Sequence, residues 1–331
     1  MNGIVYHIAS GHAFFTGIAL VLVAALLSIV RSPLAIRVSG FALVIGAIAL
    51  VISSAAIPYW SYALLAIGIL GSGFDSLHRH GTLSGCIDES SGFACFALLD
   101  PHRLAESRAD GPLVRRSLAW IVTHRGQWKR WGWAALLGSC TIALALESPH
   151  HLRWNLSPAP NRRLTVIGDS ITAGTGTLDA SQRWPAILAR RHDLTVQDIS
   201  HAGDTVSLAM KRLDTSPIEA DVVLIELGGN DLLGSTNSHD FARDLDALLA
   251  RVATPERQVV MLELPLPPFC NEYGRAQRRL AHKHGVVLAP KRYLLSVIAP
   301  STATLDTIHL TRNGHEQMAE TVWMLVASAY R

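Results

Sequence analysis

Ser170 lies in the stretch VIGDSITAG, where a hydrophobic approach breaks at Gly-Asp-Ser and continues into small residues. A serine hydroxyl is a poor nucleophile at neutral pH and needs a base within hydrogen-bond reach, itself oriented by a carboxylate. The far end of the chain offers such a pair in LDTIHLTRNGH, where Asp306 and His309 stand three apart, a spacing that brings both side chains to one side of a helical turn. In that arrangement His309 takes the Ser170 proton and Asp306 orients the imidazole. Acyl transfer also needs donors aimed at the developing oxyanion. Three are available: the Ser170 backbone N–H at a helix start, Gly203 in SHAGDT, whose backbone can come close to a ligand, and the side-chain amide of Asn230 in GGND.

The elements around these residues must bring them together. From Leu164 onward the apolar runs are short and bounded by Gly, Asp and Pro: LTVIG, LTVQDI, DVVLIEL, QVVMLEL and GVVLAP. Runs rich in Val, Ile and Leu without clean alternation suit strands buried on both faces. Between them lie helix-like segments such as WPAILARRH, TVSLAMKRLD, HDFARDLDALLARV, YGRAQRRLAHKH and RNGHEQMAETVWMLVASAY. This alternation predicts a parallel sheet with helices on both faces, whose ligand crevice lies at the carboxyl ends of the strands. Ser170 follows the first strand, Gly203 the second and Asn230 the third, so all three face one crevice.

In this order the four blocks resemble the SGNH, or GDSL, hydrolase superfamily, and GDSITAGTG with ELGGNDLL is most similar to its small thioesterase, arylesterase and lysophospholipase group. The resemblance implies a flavodoxin-like three-layer α/β/α sandwich over residues 164–331, with Ser170, Asp306 and His309 catalytic. It further implies an oxyanion hole of Ser170, Gly203 and Asn230, no metal, no cofactor, and acyl or acetyl esters as substrates. Many members have an asparagine shortly before the block-two glycine and another glycine further on. This chain instead reads DISHAGDTVSLAM, with Ser200 and His201 before Gly203, which shifts the expected weight of oxyanion stabilisation towards Ser170 and Asn230. The sequence lacks a G-x-S-x-G elbow, so an α/β-hydrolase reading has no support.

Among the neighbours, Asp169 is expected to fix the turn or cap the helix, Trp184 to be core, and His201 to be a loop residue. His315 is expected on the surface of the last helix. Glu226, at the end of a buried strand, either perturbs the site or holds a structural hydrogen bond.

The first half of the chain has a different texture. HAFFTGIALVLVAALLSIV (residues 12–30) is long enough to cross a hydrocarbon core, and further apolar runs follow at residues 40–57, 59–73 and 131–146. About four transmembrane helices are therefore expected over residues 1–147, with a cytoplasmic loop over 74–130 and a Pro-rich linker over 148–163. Arg31 and Arg37 lie between the first two runs, and Arg115, Arg116, Arg125, Lys129 and Arg130 precede the fourth. That bias places the amino terminus and the carboxy-terminal domain outside the cytoplasm. The basic stretch LVRRSLAWIVTHRGQWKRW reads as ordinary flanking sequence, with an amphipathic surface helix as the rival.

A net charge of +3 points to no nucleic-acid partner, and Cys86, Cys95, Cys140 and Cys270 are too widely spaced to suggest a disulfide or zinc site. His78, His80, His150 and His151 read as solvated loop residues. The leading expectation is a multi-pass serine esterase of the plasma (inner) membrane, its catalytic domain extracytoplasmic and acting on small or envelope esters of glycans or lipids. Two alternatives stand beside it: a carbohydrate O-acetyltransferase using the same triad, and a binding or sensor domain without catalysis. Oligomeric state is left open.

Overall fold

The structure is a computed structural model that describes residues 3–30, 32–80, 131–152, 154–300, 302–306 and 308–331. Two compact units emerge, one of residues 1–16, 49–57 and 146–331, the other of residues 17–48 and 58–145.

Four helices open the chain: α1 (Gly3–Ala9), α2 (His12–Leu27), α3 (Pro33–Ile52) and α4 (Tyr59–His80); residues 131–147 form α5. The count of four spans is corrected here. Among the described residues, α3 alone is long and apolar enough to cross a membrane, and a second span arises only if α1 and α2, bent by 90°, are taken as one. The first expected span, residues 12–30, loses its last turn: α2 begins after the break at Gly11, where φ is +82°, and already ends at Leu27. The 16 residues of α2 then rise only about 24 Å, short of a hydrocarbon core of about 30 Å. The apolar part of α4 is also short, Tyr59–Leu70. α3 starts at Pro33 rather than Gly40, because proline is well suited to a first helical turn. Most of the expected cytoplasmic loop, and the basic residues Arg31, Arg115, Arg116, Arg125, Lys129, Arg130 and Arg153, lie outside the described residues.

The larger unit is built on five strands, β1 (Arg163–Gly168), β2 (Thr195–Ser200), β3 (Val222–Glu226), β4 (Gln258–Leu262) and β5 (Val287–Ala289). All are parallel, in the order β2-β1-β3-β4-β5. The helices are α6 (Ser170–Ala173), α7 (Trp184–His192), α8 (Val206–Arg212), α9 (Gly229–Leu233), α10 (Ser238–Val252), α11 (Asn271–His284), α12 (Arg292–Ile298) and α13 (Arg312–Val326). Because side chains alternate along a strand, each central strand feeds two apolar layers. Val222 and Leu224 of β3 join the layer of α7, α12 and α13, whereas Val223 and Ile225 join that of α8, α10 and α11. The result is the expected three-layer α/β/α sandwich.

Residues 154–163, read from sequence as part of a linker, are bonded to this sandwich. Leu156 N–H donates to Ser328 Oγ at 2.7 Å, Ala159 N–H to the Ala329 carbonyl at 2.8 Å, and Ser157 exchanges two bonds with the Gln258 side chain. Closer to α5, His151 bonds to Glu147 at 3.1 Å and stacks edge-on with Phe15, so it is not a solvated loop residue.

Candidate active site

Strand order reverses at β1, which has β2 on one side and β3 on the other, and a crevice opens at such a point. The register pairs Gly168 with both Ser200 and Glu226, so the three strands end level and their following loops meet. At the end of β1 a Cβ on Gly168 would lie 2.3 Å from Thr172 Oγ1, so only glycine permits the tight turn. Asp169 then caps α6, its Oδ1 accepting the Ile171 N–H at 3.0 Å, and Ser170 becomes the first residue of that helix. The Ser170 N–H thus belongs to the free donors of a helix start.

His309 Nε2 is 3.2 Å from Ser170 Oγ, and His309 Nδ1 is 2.7 Å from Asp306 Oδ2. The other Asp306 oxygen accepts the backbone N–H groups of Ile308 at 3.2 Å and His309 at 2.9 Å. The backbone and side-chain hydrogen bonds from His309 hold the Asp306 carboxyl down at about 2. An ionised carboxylate only accepts, so Nδ1 carries the imidazole proton and Nε2 offers its lone pair to the serine hydroxyl. The helical turn expected for this pair is a loop instead. Leu305 N–H donates to the His309 carbonyl at 2.7 Å, and an antiparallel bridge joins Thr304 to Leu310, ahead of α13. Asp306 causes the difference: its side chain captures the N–H groups that would otherwise enter a helix ladder.

Asn230 sits in the first turn of α9, and its Nδ2 donates to the Asp204 carbonyl at 2.9 Å and, more weakly, to Asp169 Oδ2 at 3.4 Å. The carboxamide therefore ties together the loops after β1 and β2. Gly203, with φ +83°, turns the chain one residue before Asp204, whose N–H donates to the His201 carbonyl at 3.2 Å. The structure thus brings Ser170, His309 and Asp306 into one hydrogen-bonded chain and draws Asn230 against the loop that carries Gly203. Among the described residues, no group of three or more His, Cys, Asp or Glu side chains is placed to hold a metal ion.

The family model described as the GDSL-like Lipase/Acylhydrolase family matches residues 166–317, which contain every one of these groups. This part of the chain is a GDSL/SGNH hydrolase domain. Among curated relatives, Esterase TesA of Pseudomonas aeruginosa is 29% identical over 204 residues, covering 57% of this chain and 96% of the relative. Thioesterase 1/protease 1/lysophospholipase L1 of Escherichia coli is 28% identical over 173 residues, covering 49% of this chain and 80% of the relative. A solved structure of TesA is 28% identical, covers 49% of this chain and 97% of its own, and has a TM-score of 0.45. The matched part is a serine ester hydrolase domain of this superfamily.

Several supports of the SGNH site differ from, or go beyond, the sequence expectations. Glu226 is buried and accepts from Thr172 Oγ1 at 2.8 Å; burial first, then the charge of Asp169, pushes its carboxyl upward. It holds the helix start behind Ser170. His315 is not on the surface: it is fully buried, its Nδ1 accepting the Trp184 N–H at 3.3 Å and its Nε2 meeting Thr177 Oγ1 at 3.0 Å. Burial, then the nearby Arg183, lowers it to about 4 and keeps it neutral, so it pins α13 to the loop after α6. Asp231, fully buried, accepts the Val206 N–H at 2.9 Å and anchors the start of α8. The Asp204–Arg212 pair was not anticipated; the DT ahead of a helix in GDTVSLAM was its one local signal.

Proposed function

We propose that the chain is a membrane-anchored serine esterase in which Ser170 is the nucleophile, His309 the general base and acid, and Asp306 its orienting carboxylate. The observation that carries this reading is the continuous bonding of Ser170 Oγ, His309 and Asp306 at the end of β1. Ser170 Oγ attacks the ester carbonyl while His309 Nε2 takes its proton. The negative charge passes to the carbonyl oxygen, which receives hydrogen bonds from the Ser170 and Gly203 N–H groups and the Asn230 amide. His309 returns the proton to the leaving alcohol, an acyl-Ser170 ester remains, and water activated by His309 releases the acid.

Membrane anchoring is supported by the outward faces of the helices. Phe41, Val44, Ile45, Ile48 and Val51 of α3, Leu26 of α2, Ile67 and Leu70 of α4, and Leu137 and Ile142 of α5 are all exposed. Apolar surface of that extent suits lipid better than water. Esters of envelope glycans or lipids are the substrates that such a location would supply. The test uses the full chain in detergent, beside Ser170→Ala, with fluorophosphonate labelling and p-nitrophenyl esters of increasing chain length. Serine-dependent labelling with turnover is expected. A folded wild-type protein that neither labels nor turns over would refute the proposal.

A further inference from the structure

We propose that Arg212 is a positioning residue for the oxyanion hole, acting through Asp204 on both Gly203 and Asn230; this rests on the reading of those groups as oxyanion donors. Arg212 ends α8 and reaches back along it, so that Nε and Nη2 grip the two carboxylate oxygens of Asp204, the second at 3.0 Å. The Asp204 side chain is 2% exposed and that of Arg212 37%, so the carboxylate is shielded from water while the guanidinium is partly open to it. A two-pronged grip of this kind fixes the plane of the carboxylate as well as its position, which a single contact does not.

What the grip controls lies on either side of Asp204 in the backbone. The preceding residue is Gly203, whose φ is +83° and beside which no atom lies within 4 Å of where a Cβ would stand. Side-chain packing therefore does not hold the exposed Gly203; its peptide is set by the turn bond from Asp204 N–H to the His201 carbonyl at 3.2 Å and by how Asp204 itself is tethered. On the other side, the Asp204 carbonyl accepts the Asn230 amide at 2.9 Å and thereby sets the turn of the carboxamide. The start of α8 is anchored separately by Asp231, which receives the Val206 N–H at 2.9 Å. With α8 held at that end, Arg212 is the side chain that fixes Asp204. The other titratable side chains near Asp204 are the exposed His201, 3.6 Å away, and the buried Asp169, whose carboxyl feels the Asp204 charge. Two of the three donors aimed at the developing oxyanion thus depend on one guanidinium outside the crevice. Such donors act mainly in the transition state, so a misplaced pair lowers kcat more than it raises KM.

The experiment compares full-chain wild type, Arg212→Met, Arg212→Lys, Asn230→Ala and the Arg212→Met/Asn230→Ala double variant in detergent. Active sites are counted by fluorophosphonate labelling taken to completion, and kcat per labelled site and KM are measured with p-nitrophenyl acetate. Arg212→Met is expected to lower kcat per site by about 10- to 100-fold with KM within roughly 3-fold, and to leave the pH midpoint of kcat in place. Arg212→Lys, which keeps the charge but not the fork, is expected to fall between Arg212→Met and wild type. In the Asn230→Ala background the Arg212→Met loss should shrink, because the two act on one donor set. The proposal is overturned if kcat per labelled site stays within about 2-fold of wild type in Arg212→Met, since the loss would then lie in folded fraction alone. It is equally overturned if the loss is the same in both backgrounds. Should Arg212→Met fail to fold, an unchanged kcat per site in Arg212→Lys overturns it. Turnover that persists in Ser170→Ala would instead refute the active-site reading on which it rests.

Discussion

Glu147, the last residue of α5, is fully buried, and its two oxygens take the terminal nitrogens of Arg278 on α11 at 2.6 and 3.0 Å. Arg278 also donates to Glu263 at 2.8 Å, and the buried Lys291 lies 3.7 Å from the same carboxylate. Two buried carboxylates thus balance two buried cations. In Glu147→Ala, Arg278 and Lys291 are left with one carboxylate between them, and breaking a buried pair in this way costs about 3–5 kcal/mol. Glu147→Gln, which keeps the shape and an acceptor, should cost less, about 1–3 kcal/mol. The assay is thermal unfolding of the full chain in detergent, followed by tryptophan fluorescence at one scan rate. At roughly 2–4 °C per kcal/mol for a domain of this size, Glu147→Ala should lower Tm by about 6–20 °C. Adding Lys291→Met to Glu147→Ala restores the charge balance and should recover part of the loss. A Tm for Glu147→Ala within about 2 °C of wild type would refute the reasoning, since that corresponds to under about 1 kcal/mol. A double variant less stable than Glu147→Ala would show that packing, not uncompensated charge, sets the cost.

Asp306→Asn should leave the fold intact and lower kcat by about 100- to 10,000-fold, because the imidazole loses the acceptor that sets its tautomer; steady-state rates per labelled site check this. His315 is held at about 4 against its ordinary 6.5, so between these values the unfolded chain binds more protons than the native one. The stability that His315 contributes is therefore complete above about pH 6.5 and is lost as pH falls towards 4. Tm measured over that window should fall less steeply in His315→Gln than in wild type, and equal slopes would contradict the assignment. A Cβ at residue 314 would lie 2.0 Å from the Ala303 carbonyl oxygen, so Gly314→Ala must push α13 away from the loop that carries Asp306 and His309. Overpacking of this sort costs about 1–3 kcal/mol, and both Tm and kcat per labelled site should drop. A fall in Tm alone would show that the loop is fixed from elsewhere.

Much of the catalytic half is legible in the linear chain. Runs such as DVVLIEL and QVVMLEL mark β3 and β4 because a strand buried on both faces must be apolar throughout, a requirement that each segment meets by itself. Gly168, Ser170 and Asn230 are legible for a local reason, since they end strands or begin helices, although the groups they meet in the site, His309 for Ser170 and Asp204 for Asn230, lie far off in sequence. The Asp306–His309 pair was readable as a pair but not as a shape, since its loop depends on which N–H groups the Asp306 side chain captures. The amphipathic periodicity of α13 did not reveal that His315 faces inward, because its partners Thr177 and Trp184 precede it by more than a hundred residues. The first expected span, residues 12–30, proved to be a helix that ends at Leu27 and is bent by 90° from the short α1 before it, backbone choices that hydropathy does not encode. Pattern and spacing by themselves pointed to a parallel sheet with helices on both faces, to Ser170 as candidate nucleophile with His309 as candidate base, and to the apolar character of the first half. Tertiary structure alone decided the Glu147–Arg278 network, the strapping of residues 154–163 and the grip of Arg212 on the loop of Gly203. Hydrophobic pattern and turn chemistry act over a few residues, whereas a buried charge or a fixed loop exists only once the folded chain has brought its partner to it.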